Sequence, residues 1–271
     1  EELTSEIVNL IGQALGSKSL EQGQNYLVVG RDGRNSSPDM LEWLTSGINS
    51  SGCNVINIGI VPTPMLYFAT HTLSASNGVM ITGSHNPKDY NGFKIVENKR
   101  SLSGDAIQDL KKKILQKDFQ TGNGKKEEID IKEEYIKSIL ENTNIVRPLK
   151  IAIDCGNGAA SVIAKEVYER LGCKVDALYG ELDGNFPNHH PDPSNPKNLV
   201  DLSKIVSSNN LEIGLAFDGD ADRLGVVSSD GKIIFPDKQM ILFSRSILKE
   251  HKQGGIVFDV KCSKLLSDEI K

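Results

Sequence analysis

Three carboxylates on alternate residues, Asp218, Asp220 and Asp222, occupy the middle of IGLAFDGDADRLGVV (Ile213 to Val227), between two apolar runs. Like charges this close repel and resist ionisation, so drawing them to one point calls for a cation. Oxygen-only anionic donors select a hard ion, Mg2+ ahead of Mn2+ or Ca2+, and disfavour zinc. An EF-hand loop also opens D-x-D-x-D, but its sixth position is Arg223 here instead of the turn-forming Gly, and its twelfth is Ser229 instead of a bidentate Glu. The plainer alternative is a solvated acidic turn. Three protein ligands leave coordination positions for water or phosphate, so the loop is expected to meet a phosphate group.

A second stretch, TGSHNPKDYNGFKI (Thr82 to Ile95), gathers a hydroxyl (Ser84), an imidazole (His85), an amide (Asn86) and an ammonium (Lys94) around turn-forming residues. Serine is a weak nucleophile until a base or a metal activates it. No G-x-S-x-G elbow surrounds Ser84, which argues against acyl transfer. The inventory suits phosphate: Lys94 can donate to an oxygen or take its proton, while His85 and Asn86 orient the group. Taken singly, His85 reads more simply as a turn imidazole and Lys94 as a solvated charge; beside the Asp loop those plainer readings weaken. A phosphorylated Ser84 would carry nearly two negative charges and three acceptor oxygens, one of which could complete a Mg2+ shell. Ser84 and the Asp loop then form one site.

The elements that must position these loops repeat. YLVVGRDGR (Tyr26 to Arg34) is an apolar run ending in Asp-Gly, followed by helical spacing at Met40, Leu41, Leu44 and Ile48 and then by SGCNVINIG; KIAIDCGNG (Lys150 to Gly158) leads through Val162, Ile163, Val167 and Leu171 to LGCKVDALY. Asp32 and Asp154 hold matching places. GGIVFDVKC (Gly254 to Cys262) begins the pattern again, with a strand expected over Ile256 to Asp259. Alternating strands and helices predict α/β domains with parallel pairing inside each. The opening residues predict an amphipathic helix through Leu3, Ile7, Leu10 and Ile11. The polar stretch Lys117 to Asp130 marks a seam, and Asp230-Gly231 a hairpin turn before a helix that Pro236 introduces. For 271 residues the expected division is 1–130, 131–233 and 234–271.

Both chemical loops resemble those of the α-D-phosphohexomutases: TGSHNPKDYNGFKI is similar to that family's phosphoserine loop, and AFDGDADR to its metal loop. DGNFPNHHPDPSNPKNL (Asp183 to Leu199) resembles the bacterial branch that handles both mannose and glucose phosphates, and RDGR (Arg31 to Arg34) and DVKC (Asp259 to Cys262) fall where that family has them. The resemblance implies tandem related α/β/α domains, two nearly complete plus the start of a third. It implies interconversion of hexose 1-phosphate and hexose 6-phosphate through a phosphoserine enzyme and a hexose 1,6-bisphosphate. On this resemblance Ser84 carries the phosphoryl group, Asp218, Asp220 and Asp222 bind Mg2+ with it, and Lys94 and His85 handle the proton. Arg223 would stabilise transferring charge; Lys261, Asn86 and Arg31 would contact the phosphosugar; His189 and His190 would be structural. Phosphoglucosamine mutase, or a non-catalytic scaffold binding Mg2+ and phosphosugar, are the alternatives. Family members also carry a preceding strand with an arginine-bearing loop, a full third domain and a fourth; their motifs do not occur here, so a piece cut at both ends, with impaired turnover, is expected.

Composition narrows the field. With a net charge of -5 the chain offers no basic stripe for nucleic acid, and no apolar run approaches the ~18 residues of a membrane span. Cys53, Cys155, Cys173 and Cys262 are scattered, as expected of free thiols in a reducing compartment. A cytoplasmic monomer acting on a small phosphosugar is the expectation.

Overall fold

The computed structural model describes residues 3–270. The first sheet is built by β1 (Tyr26–Arg31), β2 (Asn54–Ile60), β3 (Asn77–Ile81), β4 (Phe93–Glu97), β5 (Arg100–Ser101) and β6 (Lys126–Glu128) in the order β5-β4-β3-β1-β2-β6. Helices α1 (Ser5–Glu21), α2 (Ser37–Ser50), α3 (Thr63–Thr72) and α4 (Asp105–Gln116) accompany it. β1 shows why both faces are covered: Leu27 and Val29 pack with Leu15, Leu44 and Ile48, whereas Val28 between them packs with Met65 and Leu66. Alternate side chains of one strand thus feed two helical layers, as a strand's twofold repeat requires.

The second sheet takes β7 (Lys150–Asp154), β8 (Lys174–Leu178), β9 (Ile213–Phe217), β10 (Leu224–Ser228) and β11 (Ile233–Ile234) in the order β11-β10-β9-β7-β8. Helices α5 (Lys132–Asn142), α6 (Ala164–Arg170) and α7 (Val200–Ser208) belong to this half of the chain. The run β4-β3-β1-β2 of the first sheet corresponds strand for strand to β10-β9-β7-β8 of the second. The expected parallel pairing holds among β3, β1 and β2 and among β9, β7 and β8, and each sheet adds an antiparallel edge: β4 runs antiparallel to β3, and β10 to β9. Neither connection contains a crossover helix, and a chain that turns straight back can pair only antiparallel.

Two expectations are corrected. Of the apolar face expected for α1, Leu3, just before the helix, and Ile11 pack against the core, whereas Ile7 is 42% exposed and the buried positions include Val8, Gly12, Leu15, Gly16 and Ser19. The helices touch backbone to backbone: a Cβ on Gly12 would lie 2.4 Å from the Leu44 carbonyl oxygen, and one on Gly47 2.1 Å from that of Asn9. Small residues set this contact, and a count of large apolar residues does not register them. The strand expected over Ile256 to Asp259 is not formed; the segment between α8 (Pro236–Glu250) and α9 (Lys264–Glu269) is irregular, with Val257 94% exposed. A strand exists through its ladder partners, and among the described residues none lies beside this segment. Among the described residues no helix is long and apolar enough to cross a membrane.

Candidate active site between the two sheets

Because the sheets share one topology, the two chemical loops are equivalent loops. Thr82 to Gly92 joins β3 to β4, and Asp218 to Arg223 joins β9 to β10. Each leaves the carboxyl end of a strand that pairs parallel to its sheet's central strand, where α/β folds place their sites. They meet across the halves: Ser84 Oγ donates to Asp218 Oδ2 at 2.8 Å.

Ser84 sits at φ 50°, a left-handed conformation costing a non-glycine residue roughly 1–2 kcal/mol. Its N–H donates to Thr82 Oγ1 at 2.8 Å, and its carbonyl accepts from the Arg34 guanidinium at 2.7 Å. The neighbouring glycines are dictated by space. A Cβ on Gly83 would lie 2.5 Å from the Arg34 guanidinium carbon, and one on Gly219 2.4 Å from the Ser84 carbonyl oxygen.

In the Asp loop one oxygen from each of Asp218, Asp220 and Asp222 lies within 4.8 Å of the others. Asp218 and Asp220 are fully buried. Asp218 Oδ1 accepts the N–H groups of Asp222 and Arg223, both at 3.0 Å, with Ala221 at φ 57° making the turn. Asp220 Oδ2 accepts from the Thr63 hydroxyl and from Lys94 Nζ at 2.5 Å; Lys94 also reaches Asp222 Oδ2 at 2.5 Å. Burial, reinforced by the charge of Asp220, pushes the Asp218 carboxyl up to about 7. Burial opposes the charges of Lys94 and Asp220 as well, but their mutual attraction outweighs it, raising the lysine and lowering the aspartate. Asp220 Oδ1 is buried with no hydrogen-bond partner. An orphaned carboxylate oxygen beside a carboxyl that resists ionisation is what three gathered carboxylates show before a divalent cation balances them, so this donor set fits a hard metal ion.

Comparison with known proteins supplies the family. Residues 1–121 match the model for phosphoglucomutase/phosphomannomutase alpha/beta/alpha domain I, and residues 133–231 that for domain II. The chain belongs to the phosphoglucomutase/phosphomannomutase family. It is 48% identical over 264 residues to a Pseudomonas aeruginosa phosphomannomutase/phosphoglucomutase, a match covering 97% of this chain and 57% of that one. Identity to a Neisseria meningitidis phosphoglucomutase is 49% over 272 residues, covering 99% and 59%. The crystal structure of a phosphoglucomutase/phosphomannomutase family protein from Burkholderia thailandensis superposes with a TM-score of 0.94 at 42% identity, over 99% of this chain and 60% of that one. The chain thus spans about three-fifths of the length of these relatives.

Within this family member, the residues expected at the site fall into two groups. Ser84, Lys94, Asp218, Asp220 and Asp222 are brought together by the bonds above, and His85 Nδ1 lies 3.4 Å from Ser84 Oγ. Arg223 is exposed and offers its backbone N–H to Asp218. Arg31, half-buried, ends β1 opposite Ile81, and its guanidinium reaches the Asp32 carbonyl at 3.2 Å. Asn86 exposes its amide and is held by its backbone carbonyl. Lys261 stands apart, its side chain 87% exposed and its ammonium 3.8 Å from Asp259 of its own turn. His189 donates to Asp154 Oδ2 at 2.9 Å, and His190 donates to the His85 carbonyl at 2.5 Å.

Sequence reasoning missed Thr63 and Arg34. Thr63 opens α3, where a helix has backbone donors to spare, and its N–H donates to the Asp220 carbonyl at 2.9 Å. The sequence signal was a threonine between two prolines, Pro62 and Pro64. Arg34 closes the same RDGR motif from which Arg31 was taken.

Proposed function

We propose that the chain is the phosphoryl-carrying part of a phosphohexomutase that interconverts hexose 1-phosphate and hexose 6-phosphate, with Ser84 as the carrier. The observation that carries this reading is the 2.8 Å bond between Ser84 Oγ and Asp218, which seats a strained serine against a carboxylate cluster from the other half of the chain. Asp218, Asp220 and Asp222, with an oxygen of the phosphorylated serine, would hold Mg2+. Once bound, the cation supplies the positive charge that a loose phosphoryl-transfer transition state needs.

In the first transfer the bond from phosphorus to Ser84 Oγ breaks and a bond to a sugar hydroxyl oxygen forms, giving a hexose 1,6-bisphosphate. The reverse transfer returns the other phosphoryl group to Ser84. His85, 3.4 Å from Oγ, takes the proton the sugar hydroxyl loses and delivers one to Oγ as it leaves. Lys94, paired with Asp220 and Asp222 beside the cluster, shares the proton handling with His85 and donates to the phosphoryl oxygens. Arg223 contacts the transferring group, and Arg31, Asn86 and Lys261 contact the sugar phosphate. The reading includes the division at residues 130 and 233, glucose and mannose phosphates as substrates, in keeping with the relatives' names, and a cytoplasmic setting, in keeping with free Cys53, Cys155, Cys173 and Cys262.

The test is discharge. Chain phosphorylated at Ser84 is mixed with glucose 1-phosphate or mannose 1-phosphate in Mg2+, and the hexose 1,6-bisphosphate is measured. Stoichiometric loss of the serine phosphate to bisphosphate is expected; loss to inorganic phosphate alone would refute the reading.

A further inference from the structure

We infer that Arg34 is the positioning residue of the Ser84 loop, a buried guanidinium about which the loop is wrapped so that its carbonyl oxygens face away from the reacting hydroxyl. The inference rests on the reading of Ser84 as phosphoryl carrier.

The Arg34 side chain is 0% exposed, and every N–H of the guanidinium is used. Nε donates to Asp32 Oδ2 at 3.1 Å. Nη1 donates to the carbonyls of Pro87 at 2.6 Å and Tyr90 at 2.9 Å; Nη2 donates to those of Ser84 at 2.7 Å and Asn86 at 2.8 Å. Five donors thus meet five acceptors, four of them backbone carbonyls of one loop. The Phe186 ring, from the other half of the chain, lies 5.2 Å from the guanidinium carbon. Asp32, which aims the arginine, also accepts from the Ser37 hydroxyl and from the N–H of Gly83 at the loop's start.

This arrangement has an electrostatic consequence. A phosphoserine carries nearly two negative charges, and carbonyl oxygens turned toward it would repel it. In a trans peptide the C=O and N–H point in opposite directions. Fixing the Ser84 carbonyl on Arg34 therefore turns the N–H of His85 the other way. The carbonyl of His85, between those of Ser84 and Asn86, is taken by His190 at 2.5 Å. Only a planar fork of five donors can hold four carbonyls and a carboxylate at once; the three rotating donors of a lysine ammonium cannot.

The 271-residue chain and its Arg34→Lys form decide the matter in three measurements: hydrogen exchange of the amides of Gly83, Ser84, Asn86 and Tyr90; Mn2+ binding by electron paramagnetic resonance; and the rate at which glucose 1,6-bisphosphate phosphorylates Ser84. In the lysine form the loop amides should exchange at least about 30-fold faster while those of β3 are unchanged. Mn2+ affinity and half-saturating bisphosphate should stay within about threefold, and phosphorylation should slow by about 30- to 100-fold. Unchanged exchange and rate overturn the inference. So does exchange that quickens equally in the loop and in β3, which makes Arg34 a stabiliser of the whole unit. If the lysine form does not fold, the unaltered chain decides: loop amides exchanging as slowly as those of β3 support the inference, and exchange at free-loop rates overturns it. A chain that accepts no phosphate refutes the carrier reading, while the exchange comparison still shows whether Arg34 holds the loop.

Discussion

Gly219→Ala places one methyl group where the two loops touch. The new carbon would lie 2.4 Å from the Ser84 carbonyl oxygen and 3.4 Å from its carbon. Ordinary carbon-to-oxygen contacts begin near about 3.3 Å, so the loops must part by roughly 0.9 Å. The obstacle is backbone, and Arg34 holds that carbonyl from behind at 2.7 Å, so relief comes from moving the loops apart. Adding that displacement to the 2.8 Å bond between Ser84 and Asp218 carries it past hydrogen-bond range. A lost bond to a charged group costs about 1.5–3 kcal/mol, and overpacking of one methyl group costs a similar, overlapping amount. The expected destabilisation is therefore about 2–3 kcal/mol, read as a lower urea midpoint by circular dichroism. Misplacement of this size should slow Ser84 phosphorylation by about 100-fold. An alanine form with an unchanged midpoint and the unaltered phosphorylation rate would refute the loop contact.

Three further outcomes are expected. Mg2+ at a hundredfold excess over its dissociation constant should stabilise the chain by about 2.7 kcal/mol, seen as a rise in melting temperature, and Asp220→Asn should remove most of that rise. Lys94→Met, which leaves the buried Asp220 without its cation, should lower stability by about 1–3 kcal/mol in chelator, a deficit that added Mg2+ restores in urea titrations. For His189, burial opposes the charge, but the bond to Asp154 and the His190 carbonyl outweigh it, so its folded-state pKa stands above the ordinary 6.5. Its contribution is therefore complete below about pH 6.5 and lost as pH climbs through the raised value. His189→Gln should flatten the dependence of the urea midpoint on pH above about pH 6.5, and an unchanged slope would contradict the bond.

What was legible in the sequence was whatever depended on local type and spacing. Three alternate aspartates can converge only around positive charge, and the structure fills that need provisionally with Lys94. The matching Asp32 and Asp154 announced a repeat, and the strand orders of the two sheets carry it through. The equivalence of the Ser84 and Asp218 loops was present in the same repeat but lay outside the aligned segments, since one loop has eleven residues and the other six. Long-range donors were not legible. Thr63 meets Asp220 from 157 positions away, and no pattern around either residue specifies the pairing. Arg34 received no role of its own because nothing in RDGR shows that four carbonyls, 50 to 56 residues later, will close over it. The α1 face was read only in part, because its closest contact is made by glycines beside Leu3 and Ile11, and the Ile256 to Asp259 run was misread because strand composition does not supply a partner strand.

The central claim is that Ser84 carries the phosphoryl group, and intact-mass spectrometry with peptide mapping tests it most directly. The chain is incubated with Mg2+ and glucose 1,6-bisphosphate beside a Ser84→Ala control. One added phosphoryl group, mapped to Ser84 and absent from the control, is the expected result. An unmodified chain, or a phosphoryl group that persists in the alanine control, would contradict it.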